Sequence, residues 1–350
     1  MKIPTEPIGS IPRPAELIEA ITSQSNGGNL ERLYAKAVNE TLTAFEKTGS
    51  PVITDGEQTK PSFVTYPLHG LPNLESGGMR IDFADGHFRQ LPLLTKGPFR
   101  FANYAEQYLK YALGQTKVPV KQAVISASAL SLIYPPNGID GYSQSEFISD
   151  LVNECEKDIR LCLKQGAHKV QMDFTEGRLS LKLDPSGGVL KQFIDLNNQV
   201  FNRFTEEECK KLGVHVCPGG DHDSTHSADI DYTAFLPTLF DLNVGNFYLQ
   251  LASEPDHIKV LKTIQQYLKP NQMVFIGVTD VINPKIESAE EVRDRILEAA
   301  QYIPLNQLGT TDDCGFAPFC DDKSTTRETA FAKIKARIEG TRLAEEKLFS

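Results

Sequence analysis

Cysteine is scarce in this sequence. Six residues scattered through 350 cannot build a disulfide framework, so in a reducing compartment each must be a core residue, a metal ligand or a nucleophile. Long apolar runs are missing too. No stretch approaches the roughly 18 consecutive residues of a membrane helix, and Met1 to Glu6 lacks the basic-then-apolar order of a secretory signal. Both absences predict a cytoplasmic protein. Positive charge is in deficit: Lys and Arg number 36 against 46 Asp and Glu, for a formal charge of -10 and a pI near 5.3. Such a surface repels nucleic-acid phosphates and anionic lipid, which leaves small molecules as the expected partners. Tryptophan is absent altogether. No internal repeat or low-complexity tail is present.

What the sequence has is rhythm. Short apolar or β-branched runs alternate with helical stretches, the pattern of βα units around a parallel sheet. Strands are predicted over Glu6 to Ile11, Val52 to Glu57, Val120 to Ser126, Lys169 to Phe174, Gly213 to Pro218, Asn246 to Leu251, Met273 to Asp280 and Leu305 to Thr311. Eight such units in one chain predict an α/β fold, a (β/α)8 TIM barrel, as a single domain over residues 1–350. Ser143 and Glu146 form a capping box ahead of Phe147, Leu151, Cys155, Ile159 and Cys162 at helical spacing, which places Cys155 and Cys162 in the core. Cys209 reads the same way. Residues 59–117, rich in glycine and proline around His69, Asp85 and His87, break the rhythm and are expected to form an irregular insertion near the barrel mouth.

A TIM barrel works at the C-terminal ends of its strands. There the sequence places Ser10, Asp55 to Gln58, Asp173 to Glu176, His215, Cys217, Gln250, Asp280 and Asp312 to Cys314. His215 and Cys217 stand two apart on a strand, so both side chains face one way. Cys314, remote in sequence, ends another strand of the same mouth. One imidazole and two thiolates suit Zn2+ with a fourth position open, and a substrate thiol bound there ionises near neutral pH while staying nucleophilic. The plainer alternative is three packed residues without a metal. Asp221 to Asp229 reads as a polar loop lining the mouth rather than a second metal cluster. Pro185 to Gly188 is a turn, because it lacks the spacing of a phosphate loop. Cys320 is a weaker substitute for Cys314.

In order along the chain, Ile8-Gly9-Ser10, Asp55-Gly56-Glu57, Val170-Gln171-Met172-Asp173, His215-Val216-Cys217 and Asp313-Cys314-Gly315 resemble landmarks of the catalytic domain of cobalamin-independent methionine synthase. The similarity runs over nearly the whole chain. It implies zinc on His215, Cys217 and Cys314, and an amino-acid thiol held by Ser10, Glu57 and Asp173. Departures fall on the donor side. Gln250 stands where the family has a zinc-binding Glu, Ile282 where it has a His that assists methyl transfer, and the Trp that stacks on folate is absent. Tyr134 or Phe63 would have to replace it. That pattern looks like the related epoxyalkane:coenzyme M transferases, which activate a thiol to open an epoxide, and the stretches Pro4 to Pro14 and His215 to Asp221 are similar to that branch.

The resulting expectation is a zinc-dependent transferase joining a small-molecule thiol to an alkyl donor, with an epoxide preferred over methyltetrahydrofolate. Glu57 and Asp173 are the candidate catalytic carboxylates. Tyr66, His69, Glu176 and His222 are candidate acids for the leaving oxygen. Ile8, Ser10, Arg13, Glu57, Asp173, Glu176 and Arg178 are candidate substrate contacts, with Arg13, Lys60 and Arg178 as hands for a sulfonate. Two alternatives stand beside it: folate-dependent methyl transfer to homocysteine, and a barrel that binds or regulates without catalysis. Intact His215, Cys217 and Cys314 speak against a third, the uroporphyrinogen decarboxylase-like barrels, which share the fold and need no zinc.

Overall fold

The computed structural model describes residues 2–23 and 27–350. Six short runs form its sheet: β1 (Gln122–Ile125), β2 (Val170–Asp173), β3 (Leu212–Val216), β4 (Asn246–Leu249), β5 (Met273–Gly277) and β6 (Leu308–Thr311). They pair in that order, each parallel to the next. Nearly every residue in them is buried, as a parallel sheet covered on its outer face by helices and filled inside requires.

The remaining two barrel members are not ladders. Thr5 bridges to Thr310 beside β6, and Ile53 bridges to Val120 just ahead of β1. The first pair is closed by Ile11 N–H donating to the Gly56 carbonyl at 3.0 Å and Thr54 Oγ1 donating to Gly9 at 2.7 Å. The expected strands Glu6 to Ile11 and Val52 to Glu57 thus contract to single bridges. Pro4, Pro7 and Pro12 carry no N–H for a ladder, and Gly56 and Glu57 adopt left-handed φ of 69° and 55°, which ends extended structure. The expected last two strands also shorten, at Gly277 and Leu308.

The helix Gln144–Gln165 carries the reciprocal Ser143/Glu146 capping box and buries Cys155 and Cys162. Cys209 is half-buried at the end of Glu206–Cys209. Among the described residues no helix is long and apolar enough to cross a membrane. Residues 59–117 are more ordered than expected. They form a turn of 3-10 helix (Tyr66–Leu68), small antiparallel pairs (Leu74–Glu75 with Leu93–Leu94, Arg80–Asp82 with Phe88–Gln90) and a helix, Glu106–Leu113. This arm ties itself to the loops beyond β3 and β6: Ala84 N–H donates to Thr225, and Arg89 forks to Asp221 and Asp321.

Charges rather than apolar layers fill part of the barrel interior. Tyr248 donates its hydroxyl to Glu6 at 2.6 Å, Lys169 donates to Glu6 at 2.7 Å, and Lys121 lies 3.8 Å from the Tyr248 ring centroid. Lys121 Nζ donates to Gln171 Oε1 at 2.7 Å, and Gln171 Nε2 donates to Asp173 at 2.8 Å. Burial opposes ionisation of Glu6, but the His168 hydrogen bond and the Lys169 and Lys121 charges outweigh it and hold the carboxyl well below its usual range.

Removing one partner of a buried pair strands the other, at about 3–5 kcal/mol. Glu6→Ala should therefore lower unfolding stability at pH 7 by about 3 kcal/mol in urea titrations. Because the folded pKa is depressed, the Glu6 contribution is present above the unfolded carboxylate value and fades as pH falls. The gap between wild type and variant should accordingly narrow below about pH 4.

Candidate active site

His215 lies in β3 and Cys217 just beyond it, facing one side of the strand. Cys314 follows β6 by three residues. Their ligand atoms all lie within 4.8 Å of one another, and the two sulfurs are 3.1 Å apart. His215 Nδ1 sits 3.3 Å from the Tyr248 carbonyl. Donation to that oxygen fixes the tautomer and leaves Nε2 as the lone-pair nitrogen. Nε2 is buried with no partner among the described residues. An orphaned imidazole nitrogen beside two converging sulfurs is a donor set that fits zinc. The Cys314 hydrogen bond and the neighbouring imidazole pull the Cys217 thiol well below its ordinary range, and Cys314, as donor, is pushed up.

Asp313 sets the turn that carries Cys314. Its carboxylate accepts from Leu251, Ala252 and Ser253 N–H at 2.8–2.9 Å and from Ser253 Oγ at 2.7 Å, so the turn after β6 is tied to the turn after β4. Gly315 is needed for approach: a Cβ there would stand 2.1 Å from Ser10 Oγ. Ser10 in turn accepts from Ala317 N–H at 3.3 Å.

The cluster lines a cavity shared with Ile8, Ser10, Glu57, Phe63, Asp173 and Thr175. It offers about 20 Å3 to water, room for roughly one molecule. Binding an amino acid therefore requires its wall to move. Glu57 Oε2 is buried and accepts no hydrogen bond, and it faces Lys60 Nζ as an ion pair at 4.0 Å. Burial pushes the Glu57 carboxyl up to about 7 and Asp173 above its usual range. The left-handed Glu57 is held by its own backbone. Its N–H donates to Asp55 at 2.9 Å, and its carbonyl accepts from Arg13 at 2.7 Å.

Other residues singled out in the sequence sit elsewhere. Arg13 spends its guanidinium on the carbonyls of Glu57, Lys60, Ala317 and Phe319, binding the second and eighth loops together. Lys60 donates to the Ala123 carbonyl at 2.9 Å. Arg178 pairs with Glu254 at 2.7 Å and donates to the Ala228 and Ile230 carbonyls. Glu176, buried and pushed up to about 7 by that burial, accepts from Ser126 and Ser128. Tyr66 is buried and donates to Asp158. His69 is exposed and its carbonyl accepts from Asn103. His222 is exposed beside Arg89. None of these lines the thiol cavity. Cys320 lines a different hollow with Arg89 and Phe319. Sequence reasoning missed the clamps made by Asp313 and Arg89. Only the Asp-Cys-Gly pattern hinted at the first.

Residues 205–339, which carry His215, Cys217 and Cys314, match the family described as Cobalamin-independent synthase, Catalytic domain. Over that segment the chain is similar to the catalytic domain of cobalamin-independent methionine synthases. It is 23% identical over 359 residues to a methionine synthase of Saccharolobus solfataricus, covering 99% of this chain and 96% of that protein. A methionine synthase of Thermococcus kodakarensis is 22% identical, with 99% and 94% covered. The fold matches a B12-independent methionine synthase from Shewanella sp. W3-18-1, solved in complex with selenomethionine, at TM-score 0.77 and 20% identity over 100% of this chain and 99% of that one. A putative vitamin-B12 independent methionine synthase from Listeria monocytogenes matches at TM-score 0.69 and 19% identity, over 98% of each chain. None of these relatives points to the epoxyalkane:coenzyme M branch expected from the Pro4 to Pro14 and His215 to Asp221 stretches. Gln250, at the family's Glu position, donates Nε2 to Glu254 at 2.9 Å and does not line the thiol cavity.

Cys217→Ala and Cys314→Ala should each abolish stoichiometric zinc binding, read by metal analysis after gel filtration. Cys320→Ala should keep it, and a Cys320→Ala protein without zinc would reassign the site.

Proposed function

We propose that the protein transfers a methyl group to the thiol of a homocysteine-like amino acid, forming a thioether such as methionine. The observation that carries this reading is the lining of one cavity: the two thiols and imidazole stand with two buried carboxylates, Glu57 and Asp173, and no cationic side chain. Zinc bound to His215, Cys217 and Cys314 would ionise a substrate thiol near neutral pH. Glu57 and Asp173 then offer negative charge to the substrate ammonium, and the Ser10 hydroxyl is placed for its polar end. Burial strengthens each of these contacts. Gln171 keeps Asp173 an acceptor, since it donates an N–H to Oδ1.

The same lining weighs against a sulfonate thiol such as coenzyme M. A sulfonate calls for a cation, and Arg13 is spent on carbonyls, Lys60 on the Ala123 carbonyl and the Glu57 carboxylate, and Arg178 on carbonyls and Glu254. The methionine synthases among the relatives favour methyl transfer as well. A barrel without catalysis is told apart by one result: it would not produce a thioether in a cell that depends on it for methionine.

Homocysteine should bind the zinc-loaded protein in calorimetry. Glu57→Gln should weaken that binding by about 10- to 100-fold, as the loss of a charged hydrogen bond of about 1.5–3 kcal/mol implies. With a raised pKa of about 7, Glu57 gains its charge as pH rises, so homocysteine affinity should increase from pH 6 to 8 in wild type more than in Glu57→Gln. Equal pH profiles for the two would remove Glu57 from the ammonium site. Expression should also restore growth without methionine to a strain lacking its own methionine synthases, provided that strain supplies the donor.

A further inference from the structure

A second cavity, of about 320 Å3, lies against the thiol cavity and shares Gly220 and Cys314 with it. The methyl-transfer reading, on which this inference rests, needs a second substrate beside the thiol, and this hollow reaches the cluster at Cys314. Its lining carries Asp223, Asp280 and Asp313 but no Lys, Arg or His and no aromatic ring. Asp313 is consumed by the turn it holds. Asp280 Oδ1 caps the Ile282 and Asn283 N–H groups at 3.0 and 3.2 Å, and its charge remains. Gln250, 5% exposed, lines the same cavity. Because the Glu254 carboxylate can only accept, the Gln250 atom 2.9 Å from it is the amide nitrogen. Its Oε1 makes no hydrogen bond among the described residues, so this lining side chain keeps a free acceptor.

We infer that this cavity takes a small onium methyl donor, a methylsulfonium or methylated quaternary ammonium compound. Charge is the first reason. Acceptors and carboxylates without a cationic neighbour attract a positive group that carries polarised C–H rather than N–H. Shape is the second, since no ring is there to stack a fused heterocycle.

Leaving-group chemistry is the third. The bond from the methyl carbon to the positive sulfur or nitrogen breaks with its electron pair staying on the leaving atom, which departs as a neutral thioether or tertiary amine. The thiolate sulfur supplies the pair for the new S–C bond, so one positive and one negative charge become two neutral molecules. No proton and no redox partner is required. A donor whose leaving nitrogen would depart as an anion needs an acid, and carboxylates apart, this cavity holds none but Cys314 itself.

The test uses the zinc-loaded full chain with homocysteine, offered S-methylmethionine, glycine betaine or 5-methyltetrahydrofolate. At least one onium compound should bind in calorimetry and yield methionine in equal amount with its demethylated product, and methyltetrahydrofolate should yield none. Asp280→Asn, which keeps the cap and removes the charge, and Gln250→Leu should each raise the Kd of the active onium compound on the order of tenfold with the homocysteine Kd unmoved. Turnover with methyltetrahydrofolate, no onium binding at millimolar concentration, or onium binding indifferent to both variants each overturns the inference. Homocysteine binding separates the two failures: retained, it leaves the methyl-transfer reading standing; lost in wild type, it removes that reading as well.

Discussion

The meeting of Cys217 and Cys314, 97 residues apart in sequence and 3.1 Å apart in space, is the constraint on which the site depends. A thiol pair at that distance is built only if the loops after β3 and β6 emerge at the same end of a closed sheet. Parallel pairing secures this, because every strand in such a barrel delivers its C-terminus to one mouth. His215 then needs no separate scaffold. Two residues before Cys217, it shares the strand face, and the Tyr248 carbonyl from the adjacent strand orients its ring.

Around this point the protein uses arginines as struts. Arg13 joins the Glu57 turn to the loop after β6, Arg178 holds Glu254 and through it Gln250, and Arg89 ties the 59–117 arm to both cysteine-bearing loops. Each guanidinium donates to carbonyls or carboxylates of the protein, with only Arg13 Nε left without an acceptor among these three, so the positive charge is spent on architecture. The cavities are left with negative and neutral acceptors. That division explains why arginine-rich loops can surround a site whose lining suits ammonium and other cations rather than anions.

Much of this was legible in the residues. Alternating apolar runs marked six strands to within a few positions, the Ser143/Glu146 box marked a helix start, and period-2 spacing put His215 and Cys217 on one face. The first two strands were over-read. Their apolar content suggested ladders, yet the prolines and the left-handed Gly56–Glu57 turn reduce them to bridges. The arm at 59–117 looked irregular because its ladders are two or three residues long, too short for any periodicity to register. Arginine roles were unreadable for a different reason. A guanidinium reaching for substrate and one reaching for a backbone carbonyl look alike in a string of letters.

By itself the sequence determined the fold class and the chemical identity of the donor set, since strand periodicity and residue type are local properties carried by neighbours in the chain. Only tertiary structure decided which charges remain available. Whether Arg178 faces a ligand or Glu254, and whether Arg13 reaches substrate or the Glu57 carbonyl, depend on contacts between loops tens of residues apart. Those contacts exist only once the barrel has closed.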